Sequence, residues 1–148
     1  MKILLEGPLL TSSGYGEHAR LVLRSLLSLN NPELDIYVSP VRWGATSWSF
    51  SDSLLRSQIT QFATKHAQYL ESSSGKPSYD VQIHVGIPNE FEKKAPYSVC
   101  VTAGIETNRV APAWIAKTYQ GIDKLVVPSE HAKRGFTETI LNAQNEKG

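Results

Sequence analysis

Five short apolar runs are spaced along the chain: KILLEG, LDIYVSP, YDVQIHVG, YSVCVTAG and DKLVVPS. Glycine, proline or serine closes each of them, which marks strand ends. They read as continuous apolar segments rather than alternating ones, the pattern of strands covered on both faces. Amphipathic or long polar stretches separate them. Strands joined by such crossovers pair in parallel, with the crossovers packed on the sheet. The expected fold is therefore α/β: a single Rossmann-like, doubly wound, mostly parallel sheet of about five strands, with helices on both faces.

The intervening stretches carry helical spacing. From Glu17 to Leu29, the residues Ala19, Val22, Leu23, Leu26 and Leu29 share a face. A second helix is expected from about Asp52, capped by Ser51, with Leu55, Ile59, Phe62 and Leu70 as its stripe. Pro112 suits the first turn of a third, carrying Trp114, Ile115 and Tyr119 and ending at Gly121. Ser129 caps a last helix with Ala132, Phe136 and Ile140 on one face. The link IPNEFEKKAP between the third and fourth strands is too short and too proline-bounded for a long helix.

A length of 148 residues suits one domain with one core. With 15 basic and 14 acidic residues the formal charge is +1, which gives no electrostatic reason to expect nucleic-acid binding. The lone Cys100, inside YSVCVTA, reads as a small buried hydrophobe. Glu6, Gly7 and Pro8 interrupt the apolar start, so it reads as a strand and not a signal sequence. No run approaches the roughly 18 apolar residues of a membrane span. A cytoplasmic setting fits these features. The chain has no P-loop, no histidine pair or Cys-x-x-Cys at metal spacing, no Asp-x-Asp and no Gly-x-Ser-x-Gly elbow. Neither a metal nor a cofactor is expected.

Ligands of open α/β sheets bind beyond the carboxyl ends of the strands. Those ends hold most of the unusual residues. Gly14-Tyr15-Gly16-Glu17-His18-Ala19 formally satisfies Gly-x-Gly-x-x-Ala, whose exposed N–H groups at a helix start attract phosphate. Pro8 to Ser13 separate it from the first strand, however, and no acid ends the second strand to hold a ribose. The competing view is a turn that only introduces the helix. Glu106, with Asn108 and Arg109 beside it, follows the fourth strand and is the best single candidate for a carboxylate facing a hydroxyl substrate. The alternative there is a solvated loop with a local ion pair. Trp43, Trp48, Phe50 and Tyr15 would form an aromatic rim suited to sugar C–H faces, or else a small satellite core. His84 reads as a satisfied core histidine. Lys133 and Arg134, near the start of the last helix, would draw an anion or sit on a plain solvated face.

Three segments together, GYGEHAR, ETNRVAPAW and VPSEHAKRGF, resemble the amino-terminal half of group-1 glycosyltransferases of the GT-B architecture, and the likeness runs over nearly the whole chain. It implies the acceptor-side half of a metal-independent enzyme that moves a sugar from a nucleotide-sugar to a hydroxyl acceptor, with a retaining mechanism favoured. Gly14, Tyr15 and Gly16 would then form the donor-phosphate loop. Glu106, where many relatives carry histidine, would be the catalytic candidate. Trp43, Trp48, Asn108 and Arg109 would bind the acceptor, a carbohydrate or another hydroxyl compound, while Ser129 would be structural. The resemblance places the donor-binding domain after the point where this chain stops, so a truncated or split enzyme, inactive alone, is expected. A non-catalytic binding or partner module and a dinucleotide-dependent oxidoreductase are the rival functions.

Overall fold

The computed structural model describes residues 1–48 and 53–140. Its strands are β1 (Lys2–Gly7), β2 (Asp35–Pro40), β3 (Val81–Val85), β4 (Tyr97–Val101) and β5 (Lys124–Val126). Its helices are α1 (Gly14–Ser28), α2 (Leu54–Ser72), α3 (Pro112–Tyr119) and α4 (Glu130–Glu138). The strands form one sheet in the order β2-β1-β3-β4-β5, and every pairing is parallel. This is the expected Rossmann-like α/β architecture. The chain reverses its winding between β1 and β3, so the crevice outside their carboxyl ends is the natural ligand position.

The two faces of the sheet differ chemically. Leu5, Val38, Val85 and Val101 build one face, closed by Ala19 and Leu23 of α1 and Ile59 of α2. Fully burying one of these leucines contributes about 2 kcal/mol. The register Leu4↔Gln82, Glu6↔His84, Gln82↔Ser98 and His84↔Cys100 puts polar groups side by side on the other face. β3 thus alternates apolar and polar, contrary to the continuous apolar reading. A 3₁₀ turn at Pro88–Glu90, in the short β3–β4 link, packs against α3 on this second face. Phe91 lies edge-on to His84 there, with ring centroids 5.9 Å apart.

Four local expectations need correcting. α1 begins at Gly14, not Glu17, because Ser13 is its cap: the hydroxyl accepts from the Gly16 N–H at 2.9 Å. The cap of α2 is Ser53, which accepts from Arg56 N at 3.2 Å, while the expected cap Ser51 lies outside the described residues. Tyr119 is 87% exposed, since α3 buries no residue fully. Ile140 is 83% exposed, lying beyond the end of α4. Gly135, not Ile140, completes the buried side of α4, against Ile105 and Val110. Ser129 caps α4 as expected, accepting from Ala132 N at 3.1 Å.

Candidate functional site

The carboxyl edge of the sheet is built around Tyr15. Leaving β1, the chain turns over Pro8 to Thr11, where the Thr11 N–H and hydroxyl both donate to the Pro8 carbonyl. Thr11 and Ser13 share a 2.8 Å hydroxyl hydrogen bond, which sets the Ser13 cap. Helix α1 then starts with Gly14, Tyr15 and Gly16 in its first turn rather than in a loop. This places the Tyr15 ring against Trp43, with centroids 4.4 Å apart. Its hydroxyl shares a 3.1 Å hydrogen bond with Thr102 and accepts one from the Ala103 N–H at 3.2 Å. One phenol therefore ties the segments that follow β1, β2 and β4.

The two glycines have different jobs. A Cβ on Gly16 would lie 2.3 Å from the Thr11 carbonyl oxygen and 2.9 Å from that of Pro8, so only hydrogen fits there. A Cβ on Gly14 would meet nothing within 4 Å, and its φ is not positive. Ser13 satisfies the N–H groups of Gly16 and Glu17. Those of Gly14 and Tyr15 have no partner among the described residues. Two open amide donors at the positive end of a 15-residue helix form an anion-accepting surface.

The aromatic rim is partly present. Trp48 forms an isolated antiparallel bridge with Thr11, and the Ser12 N–H donates to the Ser47 carbonyl at 2.9 Å. Trp43 is half-buried against Tyr15, and Trp48 is 40% exposed. Phe50 lies outside the described residues. The expected gathering at one edge thus holds for Tyr15, Trp43 and Trp48. Glu106, Asn108 and Arg109 leave β4 at the same edge, in a loop that starts at the Tyr15 anchor, and all three are exposed. Among the described residues Glu106 and Arg109 form no ion pair. The loop is held instead by Thr107, whose hydroxyl donates to the Arg109 carbonyl at 2.6 Å, and by packing of Ile105 on Gly135.

The other candidates are paired or buried. Lys133 pairs with Glu130 at 3.6 Å, on the exposed side of α4. Cys100 is fully buried, and burial pushes its thiol up to about 12, so it is no nucleophile at neutral pH. His84 is buried as expected but is only half satisfied: its Nε2 has no partner among the described residues. Burial lowers its pKa, outweighing the opposing pull of Glu6, and keeps the ring neutral.

The second face also carries a half-buried polar network, which the continuous apolar reading of the strands leaves out. The Glu6 carboxylate accepts from Lys94 Nζ at 2.7 Å and from Gln82 Nε2 at 3.2 Å. Gln82 also donates to the Glu92 carbonyl and accepts from the Lys94 N–H. The available signal was the acid inside KILLEG together with Gln82 and His84 at alternate positions of β3. Among the described residues no group of three His, Cys, Asp or Glu side chains is placed to hold a metal, and no helix is long and apolar enough to cross a membrane. No family model, curated protein or solved structure matches the chain.

Proposed function

We propose that this chain is the acceptor-side domain of a glycosyltransferase that takes its sugar from a nucleotide-activated donor. The observation that carries the reading is the open amide pair of Gly14 and Tyr15, set beside a phenol that joins the aromatic rim to the loop bearing Glu106. In this role the two N–H groups stabilise the diphosphate leaving group as negative charge develops on it. Trp43 and Trp48 supply flat apolar surface for a sugar ring. Glu106 and Asn108 orient the acceptor hydroxyl. In a retaining mechanism the departing phosphate itself takes the acceptor proton, and Glu106 acts as a hydrogen-bond acceptor rather than a base. The second wall of the cleft comes from a donor-binding domain facing this edge. Holding donor and acceptor together supplies much of the acceleration, so one wall alone binds weakly and turns over little.

The dinucleotide reading lacks its ribose acid. Asp35 stands at the start of β2, bound to Lys65 and accepting from the Tyr37 hydroxyl at 2.8 Å, and residues 36–48 contain no acid.

Amide NMR of the labelled chain, titrated separately with uridine and guanosine diphosphates, tests the proposal. We expect millimolar binding of at least one, with shifts centred on Gly14–Glu17 and reaching Thr102–Arg109. The Gly14→Val variant should fold normally and lose those shifts, because its side chain fills the open approach. Micromolar NADH binding at the same amides would favour the oxidoreductase. Shifts from simple sugars with none from either diphosphate would favour a carbohydrate-binding module.

A further inference from the structure

Glu106 stands between two residues that α4 holds. Before it, Ile105 packs on Gly135, where an added Cβ would lie 3.3 Å from the Ile105 Cδ1. After it, the Thr107 carbonyl oxygen lies 3.2 Å from His131 Nε2. A carbonyl only accepts, so the imidazole is the donor. At the far end of the loop the Val110 N–H donates to the Thr139 hydroxyl at 3.1 Å, and that hydroxyl donates to the Gly135 carbonyl. His131, Gly135 and Thr139 follow one another at intervals of four, so one side of α4 meets the loop along its length.

These contacts differ in kind. Gly135 and Val110 are buried, and their contacts fix the two ends of the loop as part of the packing. The bond from Thr107 to the Arg109 carbonyl is internal to the loop. Among the described residues, the His131–Thr107 bond is the hydrogen bond that joins the stretch Glu106–Arg109 to the rest of the chain. It is exposed, so it adds little to global stability, but it removes freedom from the peptide next to Glu106.

We propose that His131 is a positioning residue: through the Thr107 carbonyl it sets where the Glu106 carboxylate stands at the carboxyl edge. Helix α4 then carries the part of the site that meets the acceptor. The role of Glu106 rests on the glycosyltransferase reading, whereas the mounting of its loop on α4 does not.

Backbone ¹⁵N relaxation and amide shifts of the labelled full chain test this without any nucleotide. In the parent, Glu106, Thr107 and Asn108 should have order parameters near the ~0.85 of rigid backbone. His131→Phe keeps a ring but removes the donor, and the same residues should fall below about 0.6. The Asn108 amide, whose peptide carbonyl loses its partner, should shift with them. His131→Gln places an N–H donor the same number of bonds from the backbone and should restore both readouts. Both variants should keep Val110 ordered and unfold at the parent's denaturant midpoint. Unchanged order parameters in His131→Phe, a Gln variant as loose as the Phe variant, or a lowered midpoint in His131→Phe would each overturn the proposal. A failure of uridine and guanosine diphosphates to bind would remove the glycosyltransferase reading and leave these values as they are.

Discussion

At Gly16 a single hydrogen atom decides whether α1 can sit on the turn that follows β1. The nearest atoms to an added Cβ include two backbone carbonyl oxygens, which cannot move aside as a flexible side chain would. Gly16→Ala should therefore destabilise the fold by about 2 kcal/mol. Gly14→Ala, two positions earlier and facing open space, should change stability by no more than about 0.5 kcal/mol. Denaturant midpoints of the two variants give the comparison directly. The motif Gly-x-Gly shows both glycines in the sequence, but their difference depends on where the Pro8–Thr11 carbonyls lie, which no local pattern encodes. Histidine burial is similarly hidden. His66 and His84 both have pKa values lowered from 6.5, in each case chiefly by burial. The unfolded chain therefore binds protons at a higher pH than the folded one. Their contribution to stability is complete above pH 6.5 and is lost as pH falls from there through the lowered folded values. Unfolding titrations from pH 7.5 downward should show this decline, and His84→Gln should reduce its slope.

Elements were more legible than their ends. Among the described residues the apolar runs locate each strand and the helical stripes each α-helix, although β5 buries no residue and α3 none fully. The start of α1 is hidden in the sequence because two glycines look like a loop. A helix tolerates glycine in its first turn when a neighbour supplies the cap, and here Ser13 does so. Ser13→Ala should cost about 1 kcal/mol, since the Gly16 N–H loses its partner and the Thr11 hydroxyl loses a neighbour. Thermal unfolding measures that loss. Ser12→Ala, which removes a side chain with no capping bond, is the control and should leave the midpoint nearly unchanged. The α2 cap shows the same ambiguity: Ser51 and Ser53 are equally good letters, and only the backbone geometry selects Ser53. Tyr119 is exposed because α3 buries no residue fully, and Ile140 because it lies beyond the end of α4.

For the molecule as a whole, sequence order brings out the fold, but the site comes from contacts between distant segments. Tyr15 reaches Thr102 across 87 positions, and Lys94 reaches Glu6 across 88. Neither contact leaves a periodic trace. Both converge on the central strands, and this gives the molecule a gradient of stability. β1 and β3 are paired on both sides, and the fully buried Leu5 and Val85 belong to the core beneath α1 and α2. β5 is a three-residue edge strand with no buried residue, and α3 beside it buries none fully. Local opening free energy follows buried contact and protected backbone hydrogen bonding. Amides of β1 and β3 should therefore exchange only with global unfolding, while those of β5 and α3 should exchange through a smaller opening at least tenfold faster, a difference of about 1.4 kcal/mol. Native-state hydrogen exchange at increasing denaturant tests this. Merging of all four elements into one isotherm would mean that the β5 edge is as tightly coupled as the centre. Under the predicted gradient, the Glu106 loop spans a boundary: Tyr15 anchors its start to the stable half, while Ile105 packs on α4 in the weaker one. A ligand that touches both Gly14 and Glu106 binds neither the unfolded chain nor a form with the weaker half open, so it should slow exchange in β5 and α4 by about the same factor as in β1.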